Sequence, residues 1–96
     1  MNKNAHYDQQ LYEEVHLLWA EILKLNHEAL DENSDFFVLG GSSLQGMALA
    51  YKLQSVYEVD ITLLDIVHCK CIANVTNLIS KKIAENGFVD EEEGFL

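Results

Sequence analysis

The chain has no proline, two cysteines and six basic residues in 96 positions, and no long apolar run. Each shortage removes a class of explanation. Without proline there is no Pro-rich linker. Two cysteines do not make a disulfide scaffold, and the expected compartment is the reduced cytoplasm. No apolar stretch approaches the ~18 residues that a membrane span needs. The opening Met1-Asn2-Lys3-Asn4-Ala5-His6 has neither an apolar stretch nor a cleavage pattern, so no signal peptide is expected. The six basic residues face 16 Asp and Glu, for a formal net charge of −10. Nucleic acid and anionic membrane both recruit Lys and Arg, so neither is expected as a partner. A protein with a basic face fits better.

What remains is a globular composition, 49% hydrophobic and 23% charged. The length allows one domain with a simple core. Residues 1–7 are polar and expected to be frayed. From Asp8, read as an N-cap, Leu11, Val15, Leu18, Ile22 and Leu25 recur at helical spacing and mark one buried face. Tyr12 and Trp19 lie beside that stripe and are expected at its edge. Asn26 to Leu39 breaks the period with turn-forming residues around the apolar cluster Phe36-Phe37-Val38-Leu39. Phe37 and Leu39 are expected to pin this long loop to the core.

Gly40-Gly41 is the strongest punctuation in the chain. After Ser42-Ser43 a second helix is predicted to about Glu58. Its apolar residues Leu44, Met47, Ala48, Leu49, Tyr51, Leu53 and Val56 cover more than one stripe, so some face outward. Val59-Asp60-Ile61 reads as an extended link. Thr62 caps a short helix from Leu63 to about His68. A last helix is predicted from about Ile72 to Glu85, stopped by Asn86-Gly87. With no repeat and no strand pattern, the expected fold is all-α: a four-helix bundle of three longer helices and one short one, with a long first loop. The tail places Asp90-Glu91-Glu92-Glu93 between Phe88-Val89 and Phe95-Leu96 and is not expected to fold alone.

The segment around the glycines carries the chemistry. Two glycines let the backbone turn sharply and leave nothing bulky beside the next residues. A serine then stands at a helix N-terminus, where unpaired N–H groups and the positive dipole end favour a phosphate ester. No general base lies near it in sequence, and His68 approaches only through the fold. The serine therefore reads as a substrate of another enzyme rather than a catalyst. An ordinary N-cap is the plainer alternative.

The string Asp35-Phe36-Phe37-Val38-Leu39-Gly40-Gly41-Ser42-Ser43-Leu44 resembles the attachment motif of carrier proteins, in which Leu-Gly-Gly precedes Asp or His and then Ser-Leu. It is most similar to the peptidyl carrier (thiolation) domains of non-ribosomal peptide synthetases, over roughly residues 8–86. The resemblance implies that Ser43 receives 4'-phosphopantetheine from coenzyme A through a separate phosphopantetheinyl transferase, which alone needs Mg²⁺. It also implies that Gly40, Gly41, Ser42 and Leu44 frame that site. In this family the arm's thiol holds an aminoacyl or peptidyl thioester. The arm carries it among adenylation, condensation, tailoring and thioesterase domains, while the carrier itself does no bond chemistry. Ser42 departs from the pattern, standing where the family has Asp or His, and leaves two adjacent hydroxyls. Lys70-Cys71 departs where Pro-Thr is common, which is expected to weaken the start of the last helix.

Val38, Leu44, Gln45, Met47, Val67 and His68 are candidates for an apolar, acid-rimmed patch that meets catalytic partners by weak, quickly exchanged contact. Asp90, Glu91, Glu92, Glu93, Phe95 and Leu96 are candidates for a docking segment onto a basic domain of the next synthetase subunit. The chain is expected to be monomeric. Rival readings are an acyl carrier of a polyketide or fatty-acid system and an unmodified helical binding module. Two metal readings are weaker. Asp31-Glu32-Asn33-Ser34-Asp35 imitates a calcium loop, but Phe36 stands where Gly is needed and Ser42 where Glu is needed. His68, Cys69 and Cys71 lack further ligands, and one buried and one partly buried thiol are expected instead. His6, His16 and His27 have no evident partners.

Overall fold

The structure, a computed structural model, describes the backbone of residues 2–95 and the side chains of residues 9–85. Four helices succeed one another in order: α1 (Asn2–Leu23), α2 (Ser43–Tyr57), α3 (Leu63–Cys69) and α4 (Ile72–Phe95), with a 3-10 turn at His27–Ala29. Helix α1 packs against α4 and α2, and short α3 bridges α2 and α4. Among the described residues the sole β-type pairing is an isolated bridge between Asp35 and Cys71. No helix there is long and apolar enough to cross a membrane.

The core forms where the apolar stripes converge. Val15, Trp19, Phe36, Leu49, Leu53, Ile61, Ile66, Ile72, Val75 and Ile79 are fully buried. Two expectations about it need correction. Trp19 is not at the edge of α1 but at its centre, because the stripe runs Leu11, Val15, Trp19 in steps of four, and Leu18 and Ile22 flank it. The loop is pinned chiefly by Phe36, with Phe37 half-buried and packed against the core as expected, whereas Leu39 is 38% exposed. Leu25 lies past the end of α1 and is exposed.

The helix ends are built as local chemistry dictates in the middle of the chain. Thr62 caps α3 through a reciprocal box with Asp65: the Asp65 amide donates to the Thr62 hydroxyl and the Thr62 amide to the Asp65 carboxylate. Glu58 ends α2 in the left-handed conformation. At the start of α4 no capping box is found among the described residues, but the Ala73 amide donates to Glu32 O at 3.0 Å, so the first loop supplies an acceptor for it.

At the two chain ends the helices outrun the sequence reading. Helix α1 begins at Asn2, which places Asp8 inside the helix instead of at its cap. Nothing in residues 2–7 is a glycine or proline that would stop it. Helix α4 passes through Asn86-Gly87 and continues to Phe95. A helical glycine costs about 1 kcal/mol relative to alanine but is no stop by itself. The side chains of Asp90, Glu91, Glu92, Glu93 and Phe95, and all of Leu96, lie outside the described residues.

Candidate functional site

Residues 35–41 wind into consecutive turns held by their own backbone. Asp35 organises them: its carboxylate accepts from the amides of Phe37 (3.0 Å) and Val38 (3.2 Å), and its carbonyl accepts from Leu39 N. Gly40 N donates to Phe37 O and Gly41 N to Phe36 O. The two glycines are needed for different reasons. Gly40 sits at φ +100°, a conformation that L side chains rarely adopt, with open space around it. Gly41 lies directly against Phe36, so that a Cβ there would stand 2.7 Å from Phe36 O and closer still to the ring. The turn is tied outward as well, since Phe36 N donates to Lys70 O at the α3–α4 junction (2.8 Å).

The two adjacent serines differ in kind. Ser42 is the N-cap of α2, in extended conformation, and its hydroxyl accepts from the Gln45 amide at 3.1 Å. The Gln45 side chain answers by accepting from Ser42 N at 2.9 Å, completing a capping box. Ser43 is the first residue inside the helix; it is exposed, and its hydroxyl makes no hydrogen bond among the described residues. The amides of Ser43 and Leu44 belong to the first turn and have no intrahelical acceptor. A phosphodiester on the Ser43 hydroxyl would thus stand at the positive end of α2 with nothing bulky behind it, so these residues fit a phosphopantetheine arm.

The other site residues read from sequence divide into two groups. Val38 (81% exposed), Leu44 (75%), Met47 (54%) and Val67 stand in solvent on the turn, α2 and α3, and His68, next to Val67 on α3, is exposed as well. Gln45 does not belong with them. It is half-buried, and its carboxamide is engaged at both ends, with Nε2 donating to Ile22 O on α1 at 3.1 Å. Two further exposed residues escape the sequence reading, Tyr51 on α2 and Leu64 on α3. Tyr51 and Met47 line an open groove with Ala50, Gln54, Thr62 and Leu63. The signal for Tyr51 is its spacing, four residues after Met47 and eight after Ser43, which puts all three on one helical face.

The remaining candidates have structural occupations. Asp31 caps its own turn, its carboxylate accepting from Asn33 N at 2.9 Å and its amide donating to Ser34 Oγ at 2.8 Å. Among the described residues no three His, Cys, Asp or Glu are grouped to hold a metal. Cys69 and Cys71 are both half-buried, so the expected fully buried thiol is not found. Burial, with Asp65 and Cys71 nearby, pushes the Cys69 thiol up, away from the reactive thiolate. His16 has a partner after all, since its Nε2 donates to His27 O at 2.7 Å. His6 lies outside the described side chains.

Comparison with known proteins agrees with this geometry. The chain is 34% identical over 65 residues to bacitracin synthase 2 of Bacillus licheniformis, covering 68% of this chain and 2% of that protein. It is 28% identical over 81 residues to the nonribosomal peptide synthetase ecdA of Aspergillus rugulosus, covering 84% of this chain and 1% of that one. It is 30% identical over 78 residues to the aldehyde reductase lnaA of Aspergillus flavus, covering 79% and 8%. The chain thus spans only a small fraction of the relatives it matches. Its fold superposes on the HMG-ACPI domain from the CurA module of Lyngbya majuscula with a TM-score of 0.76 at 15% identity, over 83% of this chain and 81% of that one. Residues 13–79 match the family described as phosphopantetheine attachment site, and the chain belongs to that family of carrier domains, whose cofactor is covalent 4'-phosphopantetheine.

Proposed function

We propose that Ser43 is the residue that takes the 4'-phosphopantetheine arm. The observation that carries this is the contrast between two neighbouring hydroxyls. Ser42 is committed to the helix cap, whereas Ser43 is exposed, unpartnered among the described residues and directly behind the Gly40-Gly41 turn. The arm supplies a thiol, and the cargo is an aminoacyl or peptidyl group held there as a thioester. The chain's own residues present the arm and perform no bond chemistry: no side chain among those described is hydrogen-bonded to Ser43 as a base. A separate phosphopantetheinyl transferase loads the arm from coenzyme A, and adenylation, condensation, tailoring and thioesterase domains are the successive partners, in the cytoplasm.

The exposed residues Val38, Leu44, Met47, Val67 and His68, with Tyr51 and Leu64, are the proposed meeting surface for those partners. Apolar residues over an acidic domain suit short-lived contacts with basic partners. The acidic tail, Asp90 to Glu93 with Phe95 and Leu96, is proposed as a separate docking segment. Deleting residues 87–96 should abolish capture by the next subunit while leaving arm loading intact.

The deciding test for Ser43 is intact mass after incubation with coenzyme A, Mg²⁺ and a broad-specificity phosphopantetheinyl transferase. One arm should be added to the native chain and to Ser42→Ala, and none to Ser43→Ala. Addition to Ser43→Ala but not to Ser42→Ala would move the site by one residue. No addition to any folded chain would favour an unmodified binding module.

A further inference from the structure

Only two side-chain hydrogen bonds join α1 to α2 among the described residues, one at each end of α2. At the far end the Tyr57 hydroxyl donates to Glu14. At the near end, two residues from Ser43, the Gln45 carboxamide spans from Ser42 N to Ile22 O. Ile22 lies in the last turn of α1, where carbonyls have no intrahelical donor. Ser42 N is a donor and Ile22 O an acceptor, so the carboxamide fits in one orientation, and both of its ends are used. A carboxylate accepts from Ser42 N but has no hydrogen for Ile22 O. An alanine does neither.

Resting on the assignment of Ser43 above, we propose that Gln45 is a positioning residue for arm transfer: it braces the first turn of α2 against the end of α1 and so fixes the direction in which Ser43 meets the transferase. The turn's other ties, Phe36 N to Lys70 O and Ala73 N to Glu32 O, run to the α3–α4 junction. The Phe36 ring also rests on Trp19 of α1. These ties hold the loop, and Gln45 adds the side-chain hydrogen bond that runs from the first turn of α2 itself to α1. Without Gln45 the serine keeps its exposure, while the first turn of α2 loses its hydrogen bond to α1 and with it the last restraint on the serine's direction. Because the outer contacts of Leu44 and Met47 are untouched, the effect falls on kcat more than on KM.

The test compares transferase kinetics on the full chain for wild type, Gln45→Glu, Gln45→Ala and Tyr57→Phe, well below every melting temperature. Gln45→Glu is the informative variant, because a Glu keeps the capping box, and with it the stability of α2, while cutting the link to Ile22. The expected result is a fall in kcat of about tenfold in both Gln45 variants, equivalent to one net hydrogen bond of about 1.4 kcal/mol. Tyr57→Phe, which cuts the far link and lowers the melting temperature, should load at the wild-type rate. Wild-type kcat in Gln45→Glu overturns the proposal, as does an equal fall in Tyr57→Phe. A wild-type chain that takes up no arm overturns the Ser43 assignment and the brace with it, and that result is distinct from loading that ignores Gln45.

Discussion

The rings of Phe36 and Trp19 meet edge to face, with centroids 5.4 Å apart and planes at 89°. The turn that presents the serine therefore hangs from the most deeply buried part of α1. Phe36→Ala should destabilise the domain by about 3–5 kcal/mol, the usual cost of emptying a large aromatic site. It should also expose Trp19, the chain's single tryptophan. Chemical denaturation followed by tryptophan emission reads both effects. Leu39→Ala, at a half-open site, should cost far less, and equal losses would mean that Phe36 is not the anchor.

The two glycines should respond differently to the same methyl group. At Gly40 an alanine meets nothing and suffers only an unfavourable φ, a loss of about 1–3 kcal/mol. At Gly41 the methyl collides with the Phe36 ring and its carbonyl, so the turn must open. Gly41→Ala should show the larger drop in melting temperature and in the rate of arm transfer. The reverse order would contradict the close approach of Phe36.

Tyr57 makes stability depend on alkaline pH. Burial, together with its hydrogen bond to Glu14, holds the phenol proton well above the ordinary tyrosine range. The folded pKa lies above the unfolded one, so the folded state binds this proton more tightly. Its contribution is complete below about pH 10 and is lost as pH rises through the folded value. Tyr57→Phe should lower the melting temperature at neutral pH and flatten its alkaline decline. Tyr12 shifts the same way, also by burial first, so the decline should shrink without vanishing. Identical alkaline slopes in both chains would remove the assignment to Tyr57.

Leu44 and Met47 are exposed on the helix that begins at the serine. Leu44→Asp and Met47→Asp should change stability by no more than about 0.5 kcal/mol, as exposed sites away from special contacts do. The same changes should weaken transfer to partner enzymes about tenfold, because each would bury an unpaired charge on contact. Thermal melts and single-turnover transfer measured on the same samples separate the two.

Much of this architecture is written in periodic residues. The apolar spacing of α1 and α4, the Thr62 cap and the Gly40-Gly41 break all involve residues close together in the chain, and all are legible there. What escapes depends on contacts between distant segments. Trp19 is misplaced because from Val15 the helical period allows a step to Leu18 or to Trp19, and the choice is made by Phe36, 17 positions away; the choice between Phe36 and Phe37 as anchor needs the fold too. Gln45 reads as surface because its second partner, Ile22, belongs to another helix. In the sequence reading α1 starts late because residues 1–7 are polar, and α4 is cut short because Asn86-Gly87 suggests a cap that no proline enforces. The geometry of the Gly40-Gly41 turn and the Ser42 cap is legible because two glycines, a cap and a helix start are all local chemistry.

The pairing of Phe36 N with Lys70 O and of Ala73 N with Glu32 O has a consequence for motion. Neither amide can exchange its hydrogen with solvent unless the loop parts from the α3–α4 junction. Residues 32–41 and 70–73 should thus behave as a single opening unit, their amides exchanging at a common rate under native conditions. An enzyme that pulls on α3 while working on the cargo would thereby tug on the turn behind the serine.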